Sequence, residues 1–264
     1  MFGIIAGTSL IQSSLFHTGM TKILVTTDHG EVILYVTPAA LAKLPECAKV
    51  MEACPEGSAP SPLADYPIVF AQRHAVSVGR PYYQPHEINA PAVALAFQAL
   101  GVKKAIGFNS VGGVKDTFPP GTACVPNDYF SPWGMACVYN DRRGHIVPGY
   151  DEELRKQFID LLEKNNFKIR TDCVYIQTPG PRFETPAEVR FLSNLGDIVG
   201  MTNADEASLM KEVGVAYTCI CMVDNFANGV GGAELTYQSF QAAVESNRAT
   251  METVARLAVE TFSK

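Results

Sequence analysis

Between residues 173 and 226 the chain alternates apolar runs with short, well-marked helices, and no other feature restricts its fold as much. Apolar runs at residues 173–176, 198–200 and 215–223 read as strands. Each leads into a polar segment: Gly180-Pro-Arg-Phe-Glu-Thr185, Gly200-Met-Thr-Asn203 and Met222-Val-Asp-Asn225. Thr185-Pro-Ala-Glu188 has the form of a capping box, with Pro186 at the first helical position. Asn203 is expected to cap the next helix, which Gly214 stops. Alternation of this kind lays helices on both faces of a sheet. The expected fold is α/β: one domain over residues 1–264, a three-layer α/β/α sandwich with a mixed, largely parallel central sheet. The carboxyl ends of such strands build the ligand site. The three polar segments then aim an aromatic ring, a carboxylate, a hydroxyl and an amide at one crevice. That inventory suits a polar heterocycle joined to a sugar.

The remaining elements follow from local signals. Residues 3–6 form a short strand ending in Gly7-Thr8-Ser9. Residues 23–27 and 32–36 flank Asp28-His29-Gly30, a hairpin signal. Residues 39–54 are expected as a helix and 55–62, rich in Pro, Ser and Gly, as a loop. Residues 67–71 form a strand that delivers Arg73 and His74. Asn89 caps a helix over 90–100, with Gly101 just past its end. Residues 104–108 form a buried strand followed by the turn Asn109-Ser-Val-Gly-Gly113. Leu154, Phe158, Leu161 and Leu162 give residues 151–165 a helical period. Thr236 caps a final helix reaching residue 261.

Several function classes are excluded by composition. The formal charge is −6 and no basic stripe exists, so nucleic acid is not an expected partner. No apolar run reaches the roughly 18 residues of a membrane span. Residues 1–16 have no basic stretch before their apolar positions and are not expected to act as a signal peptide. Seven cysteines without a C-x-x-C pair point to reduced thiols and a cytoplasmic location. His29 and His86 have no ligand spacing with another His or Cys, so no metal and no cofactor are expected. Gly7-Thr8-Ser9 lacks both the G-x-G-x-x-G pattern and the lysine of a P-loop.

Taken singly, the polar candidates stay ambiguous. Arg73-His74 reads either as an anion site, in which an arginine fork and a histidine donor grip a phosphate, or as a surface ion pair. Gly112 and Gly113 let backbone N–H groups approach an anion or a planar ring, or simply punctuate a turn. Asn225 reads as a ligand amide or a turn former, ahead of a glycine-rich stretch over 226–232 that suits a mobile gate.

Together these segments resemble the trimeric purine nucleoside phosphorylase and methylthioadenosine phosphorylase family, over nearly the whole chain except residues 38–62. Gly3-Ile-Ile-Ala-Gly-Thr-Ser-Leu10 is similar to its phosphate loop, Arg73-His74 to its Arg-His element, and Asn109-Ser-Val-Gly-Gly113 to its Asn-Ala-Ala-Gly-Gly segment. Gly180-Pro-Arg-Phe-Glu-Thr185 and Gly200-Met-Thr202 are the most specific matches. The resemblance implies that Thr8, Arg73, His74, Thr202 and the Ser110 N–H bind phosphate, a co-substrate. Phe183 would pack on the purine, Glu184 accept its N1–H, and Asn225 meet O6 and N7. Met201 would lie against the ribose, with Asn109, Val111 and Gly112 alongside. Tyr237 and Phe240 stand where the family meets the 5′ substituent, or else belong to the core. A homotrimer is implied, with residues 129–139, including Trp133, closing a neighbour's site.

The same resemblance bears on specificity. Adenine-specific members carry Asp at the base-recognition position and tend to have Ser where this chain has Glu184. Asn225 and Glu184 match a 6-oxopurine, so the expected reaction converts inosine or guanosine plus phosphate to free base and ribose 1-phosphate. A one-residue slip would put Asp224 there instead and favour adenine. A methylthioinosine or methylthioadenosine phosphorylase is the alternative within the class. A water-using nucleosidase or a non-catalytic nucleoside-binding protein are the readings outside it.

Overall fold

The strand β1 (Phe2–Ala6) is buried at every position, and its neighbours explain why. The computed structural model describes residues 1–11, 13–54, 58–232 and 234–264; part of the expected loop, 55–57, lies outside these. After β1 come the hairpin β2 (Thr21–Thr27) and β3 (Gly30–Val36), then α1 (Pro38–Leu41), β4 (Ala48–Glu52) and β5 (Ile68–Gln72). The middle of the chain holds α2 (Ala90–Ala99), β6 (Lys104–Gly113), β7 (Ala123–Cys124), β8 (Asp128–Phe130) and α3 (Glu152–Lys164). The last third holds β9 (Ile169–Arg170), β10 (Val174–Gln177), α4 (Pro186–Leu192), β11 (Ile198–Gly200), α5 (Asn203–Glu212), β12 (Ala216–Phe226) and α6 (Tyr237–Phe262).

These strands form one mixed sheet in the order β4-β2-β3-β5-β1-β6-β11-β10-β8, with β12 joining β6 to β7 and β7 pairing β9. The centre is parallel: β5, β1, β6 and β12 run together. The β4–β2–β3 group and the β6–β11 pair are antiparallel. Helices α2 and α5 cover one face through Val93, Phe97, Leu209 and Met210. Helices α3 and α6 cover the other through Phe158, Leu162, Val254 and Val259. The three-layer α/β/α expectation holds, and apolar burial on both faces of the central strands is what drives it.

Four local expectations are corrected. Residues 39–54 are not one helix: α1 ends at Leu41, Pro45 cannot continue it, and the chain instead supplies β4 as an edge strand on β2. Asn109-Ser-Val-Gly-Gly113 is not a turn after a strand but the second half of β6, held there by β12. Asn225 likewise lies within β12 rather than beyond it. Thr202, not Asn203, is the N-cap of α5, and its side chain makes no capping bond.

Among the described residues, no helix is long and apolar enough to cross a membrane. All seven cysteines are free thiols, and Cys219 and Cys221 share one face of β12 with their sulfurs 3.9 Å apart.

Candidate active site

The site originates where β6 changes partners. On one side β6 pairs β1 as far as Phe108, and from Gly112 onward it pairs β11. Between them Asn109, Ser110 and Val111 have no ladder partner on that side, while β12 holds the opposite side in register. The gap is a topological switch point, where backbone donors face a crevice instead of a strand. A cavity of about 380 Å³ fills it, a size suited to a small ligand.

Every site residue expected from the sequence lines this cavity. Thr8, Arg73, His74 and Ser110 stand at the β1–β5–β6 end. Asn109, Val111, Gly112, Phe183, Glu184, Met201, Thr202 and Asn225 form its floor and walls, and Tyr237 and Phe240 its outer rim. The residues missed by sequence reasoning include Tyr82, Gln84, Pro85, Tyr175 and Leu235, also in the lining. No local motif marks them; the fold alone brings them in.

Asp224 and Asn225 are placed on different sides of β12. A bulge in β12 between Val223 and Asn225 makes Asp224 the extra residue. Asp224 is buried and accepts a hydrogen bond from Asn247 Nδ2 of α6 at 2.8 Å; it is absent from the cavity lining. Burial pushes its carboxyl up to about 6, with the Asn247 amide and Ser110 hydroxyl offsetting part of the rise. Asn225 takes the cavity side, and its Nδ2 donates to the Phe226 carbonyl at 2.8 Å. A Cβ on Gly112 would come within 3.3 Å of that Nδ2, so the missing side chain makes room for the amide.

Glu184 is also buried, and Thr178 Oγ1 donates to its Oε1 at 2.6 Å. Its backbone carbonyl accepts from Asn228 Nδ2 at 3.2 Å. The carboxylate is thus held by one hydroxyl, with acceptor capacity left over. Phe183 meets Phe240 edge to face, centroids 5.9 Å apart at 69°, and Phe240 leans on the largely exposed Tyr237. The rim is therefore aromatic.

At the opposite end the arginine differs from expectation. Arg73 is neither a surface ion-pair partner nor an open fork. It is 4% exposed and grips Glu206 of α5, through Nε to Oε1 and through Nη2 to Oε2 at 2.9 Å. Nη2 also donates to Asn109 Oδ1 and Nη1 to the Phe108 carbonyl, each at 3.1 Å. Of five N–H groups, four are committed, leaving one on Nη1. Burial by itself would lower the Arg73 pKa, but the Glu206 charge and hydrogen bonds, with smaller contributions from Tyr217 and Tyr175, together outweigh it and raise the guanidinium pKa. His74 is 5% exposed and stacks on Tyr82 at 4.7 Å. Its Nδ1 lies 2.8 Å from the Tyr83 carbonyl. Burial, with the Arg73 charge adding to it, drops the imidazole to about 4 against the pull of that carbonyl, so it is neutral at pH 7.

Thr202 keeps a hydroxyl uncommitted to its helix, while the Tyr175 hydroxyl accepts the N–H groups of Thr202 and Asn203 at 3.2 and 3.3 Å. The arrangement offers hydroxyls, an imidazole and one N–H of a charge-matched guanidinium at one end, an amide and a carboxylate at the other, and an aromatic rim. Among the described residues, no cluster of His, Cys, Asp or Glu has the form of a metal site.

The family model of the phosphorylase superfamily matches residues 41–260. This chain belongs to the phosphorylase superfamily. The phosphorylase is 34% identical over 181 residues to a protein of Archaeoglobus fulgidus described as a probable 6-oxopurine nucleoside phosphorylase, covering 68% of this chain and 73% of that one. It is 33% identical over 192 residues to a probable S-methyl-5′-thioinosine phosphorylase of Methanopyrus kandleri, covering 70% and 74%. Its fold is that of the Schistosoma mansoni adenosine/methylthioadenosine phosphorylase, seen as a variant in complex with methylthioadenosine, with a TM-score of 0.75 at 21% identity, over 98% of this chain and 90% of that one.

Proposed function

We propose that this phosphorylase cleaves 6-oxopurine nucleosides with inorganic phosphate, releasing free base and pentose 1-phosphate. The class follows from the family: the chain is a nucleoside phosphorylase and hence a pentosyltransferase. The observation that carries the finer reading is the pairing of Asn225 and Glu184 in one cavity while Asp224 turns away. An amide can donate to O6 and accept from a protonated N7, and an ionised carboxylate accepts from N1–H. Adenine inverts that pattern at N1 and the 6 position and would leave buried groups unpaired.

The chemistry needs no covalent enzyme intermediate. A phosphate oxygen bonds to C1′ as the C1′–N9 bond breaks, its electron pair leaving with the purine, which is then protonated. Phosphate held beneath the sugar by Thr8, Thr202, the Ser110 N–H and the free Arg73 N–H is both nucleophile and counter-charge to the cationic sugar. The protein supplies position and charge stabilisation. Met201 lies against the ribose in this arrangement, and Phe183 on the base.

A second reading shares the same base. The rim of Tyr82, Gln84, Pro85, Leu235, Tyr237 and Phe240 is apolar apart from its phenols and one amide, which favours a 5′-methylthio group over a hydroxyl and hence S-methyl-5′-thioinosine. A homotrimer in the cytoplasm completes the proposal; the exposed Trp133 and Met135 support a subunit contact at residues 129–139, and seven free thiols support a reducing compartment. The test is base release from inosine, guanosine, methylthioinosine, adenosine and methylthioadenosine, each with and without phosphate. Phosphate-dependent release from the first three is expected. Release that ignores phosphate, or a preference for the adenine nucleosides, overturns the reading.

A further inference from the structure

Helix α6 carries an amide on its buried stripe. Val244 and Met251, three residues before and four residues after Asn247, are both buried, so Asn247 projects toward the sheet with them. A polar side chain in that place needs a partner. It finds one in Asp224 of β12, donating from Nδ2 to Oδ1 at 2.8 Å. Neither residue lines the cavity.

Asp224 stands where β12 changes register. Val223 pairs Val111 and Asn225 pairs Gly112, so Asp224 is passed over by β6. Without that extra residue Asp224 would stand opposite Gly112, the place Asn225 holds, and the later residues would move back by one. The stretch that follows can take up the difference. Gly229, Gly231 and Gly232 adopt φ of 86°, 71° and 73°, settings that glycine enters and leaves freely. The same sequence therefore has two registers open to it, and they turn different functional groups toward the cavity. Burial raises the Asp224 carboxyl to about 6, so at neutral pH an ionised group is kept in an unfavourable place. The Asn247 amide is a contact that keeps it there.

We infer that Asn247 is a positioning residue for base selection: by holding Asp224 against α6 it maintains the bulge that puts Asn225, and not a carboxylate, at the cavity. This rests on the 6-oxopurine reading of the site. An amide can donate to O6, whereas a carboxylate only accepts and so suits the 6-amino group of adenine. Asn247 thus acts against the adenine nucleosides without lining the cavity, by excluding the register that would serve them.

The experiment measures kcat/KM for inosine and for adenosine at saturating phosphate and pH 7.5. It compares the wild type, Asn247→Leu and the double variant Asp224→Leu/Asn247→Leu. Leucine has about the size of the amide and suits an apolar stripe. The wild type is expected to prefer inosine. In Asn247→Leu the inosine-to-adenosine ratio should fall at least about 10-fold, the scale of one mispaired buried polar group, with kcat/KM for adenosine rising in absolute terms. A merely structural loss lowers both substrates and raises neither. In the double variant no carboxylate is left to move, so the adenosine gain should vanish. Asn247→Asp sets a second carboxylate against the first and should expel Asp224 by repulsion, shifting the ratio the same way; it carries the test if Asn247→Leu does not fold. A wild type that prefers inosine, with the ratio in the folded single variants within about threefold of its own, well inside the loss of one such bond, overturns the inference and leaves the 6-oxopurine reading standing. An adenosine gain that survives in the double variant overturns it too. A wild type that prefers adenosine fails the 6-oxopurine reading itself, and the inference with it.

Discussion

Asp224 and Asn225 are adjacent in sequence and serve opposite sides of β12. Asp224 reaches Asn247 of α6 at 2.8 Å, whereas Asn225 lines the cavity. The bulge between Val223 and Asn225 separates them, so a single residue of register decides which functional group faces the cavity. In Asn225→Asp, the amide donor to O6 is lost. The ratio of kcat/KM for inosine over adenosine should fall about 10- to 100-fold, the range of one mispaired buried polar group. An unchanged ratio would remove Asn225 from base recognition.

Asp224 also makes a pH prediction. Its folded carboxyl is raised from the ordinary 3.8 to about 6 by burial. The folded state therefore holds the proton more tightly than the unfolded chain, and stability declines as pH rises from about 4 to about 6, then levels. Asp224→Asn mimics the protonated form and can keep the Asn247 contact. It should stabilise the protein by roughly 2–3 kcal/mol at pH 7.5, with the gain shrinking toward pH 4. Urea denaturation at both pH values measures it, and a gain independent of pH would exclude titration of Asp224 as the cause.

Glu206 neutralises a guanidinium that has almost no water around it. Glu206→Gln leaves Arg73 charged and buried without its counter-ion, which costs about 3–5 kcal/mol. Chemical denaturation should show that loss. A variant as stable as wild type would mean the pair contributes nothing to folding.

At Gly112 a Cβ would press on Asn225 Nδ2 at 3.3 Å. Gly112→Ala should displace the amide and lower kcat/KM for the nucleoside about 10-fold through misplacement, while the melting temperature moves little. Retained activity would show that the amide has room to shift.

The candidate site was legible to the degree that its residues sit in contiguous motifs. Phe183-Glu184 before a capped helix, Met201-Thr202 at a strand end and Arg73-His74 after an apolar run each carry a local signal, and all line one cavity. The apolar content of residues 39–54 suits a helix, whereas Pro45 and the open edge of β2 make residues 48–52 a strand. The glycines of Asn109–Gly113 mark a turn locally, and it is pairing with β12, joined by β11 at Gly112 and Gly113, that keeps the segment extended.

Local chemistry, read from the sequence alone, determined the strand–helix alternation, the α/β class, the family and the residue types around the crevice. These depend on capping, periodicity and short motifs, which act over a few neighbours. Tertiary structure decided what those residues are free to do. Arg73 and Glu206 are 133 positions apart, and their union turns an open arginine fork into a nearly saturated one. The Tyr83 carbonyl places a proton on His74 Nδ1, and the β12 bulge dictates which of Asp224 and Asn225 faces the cavity. Hydrogen-bond direction and burial arise only when distant segments pack, because each is a property of the partner as much as of the residue.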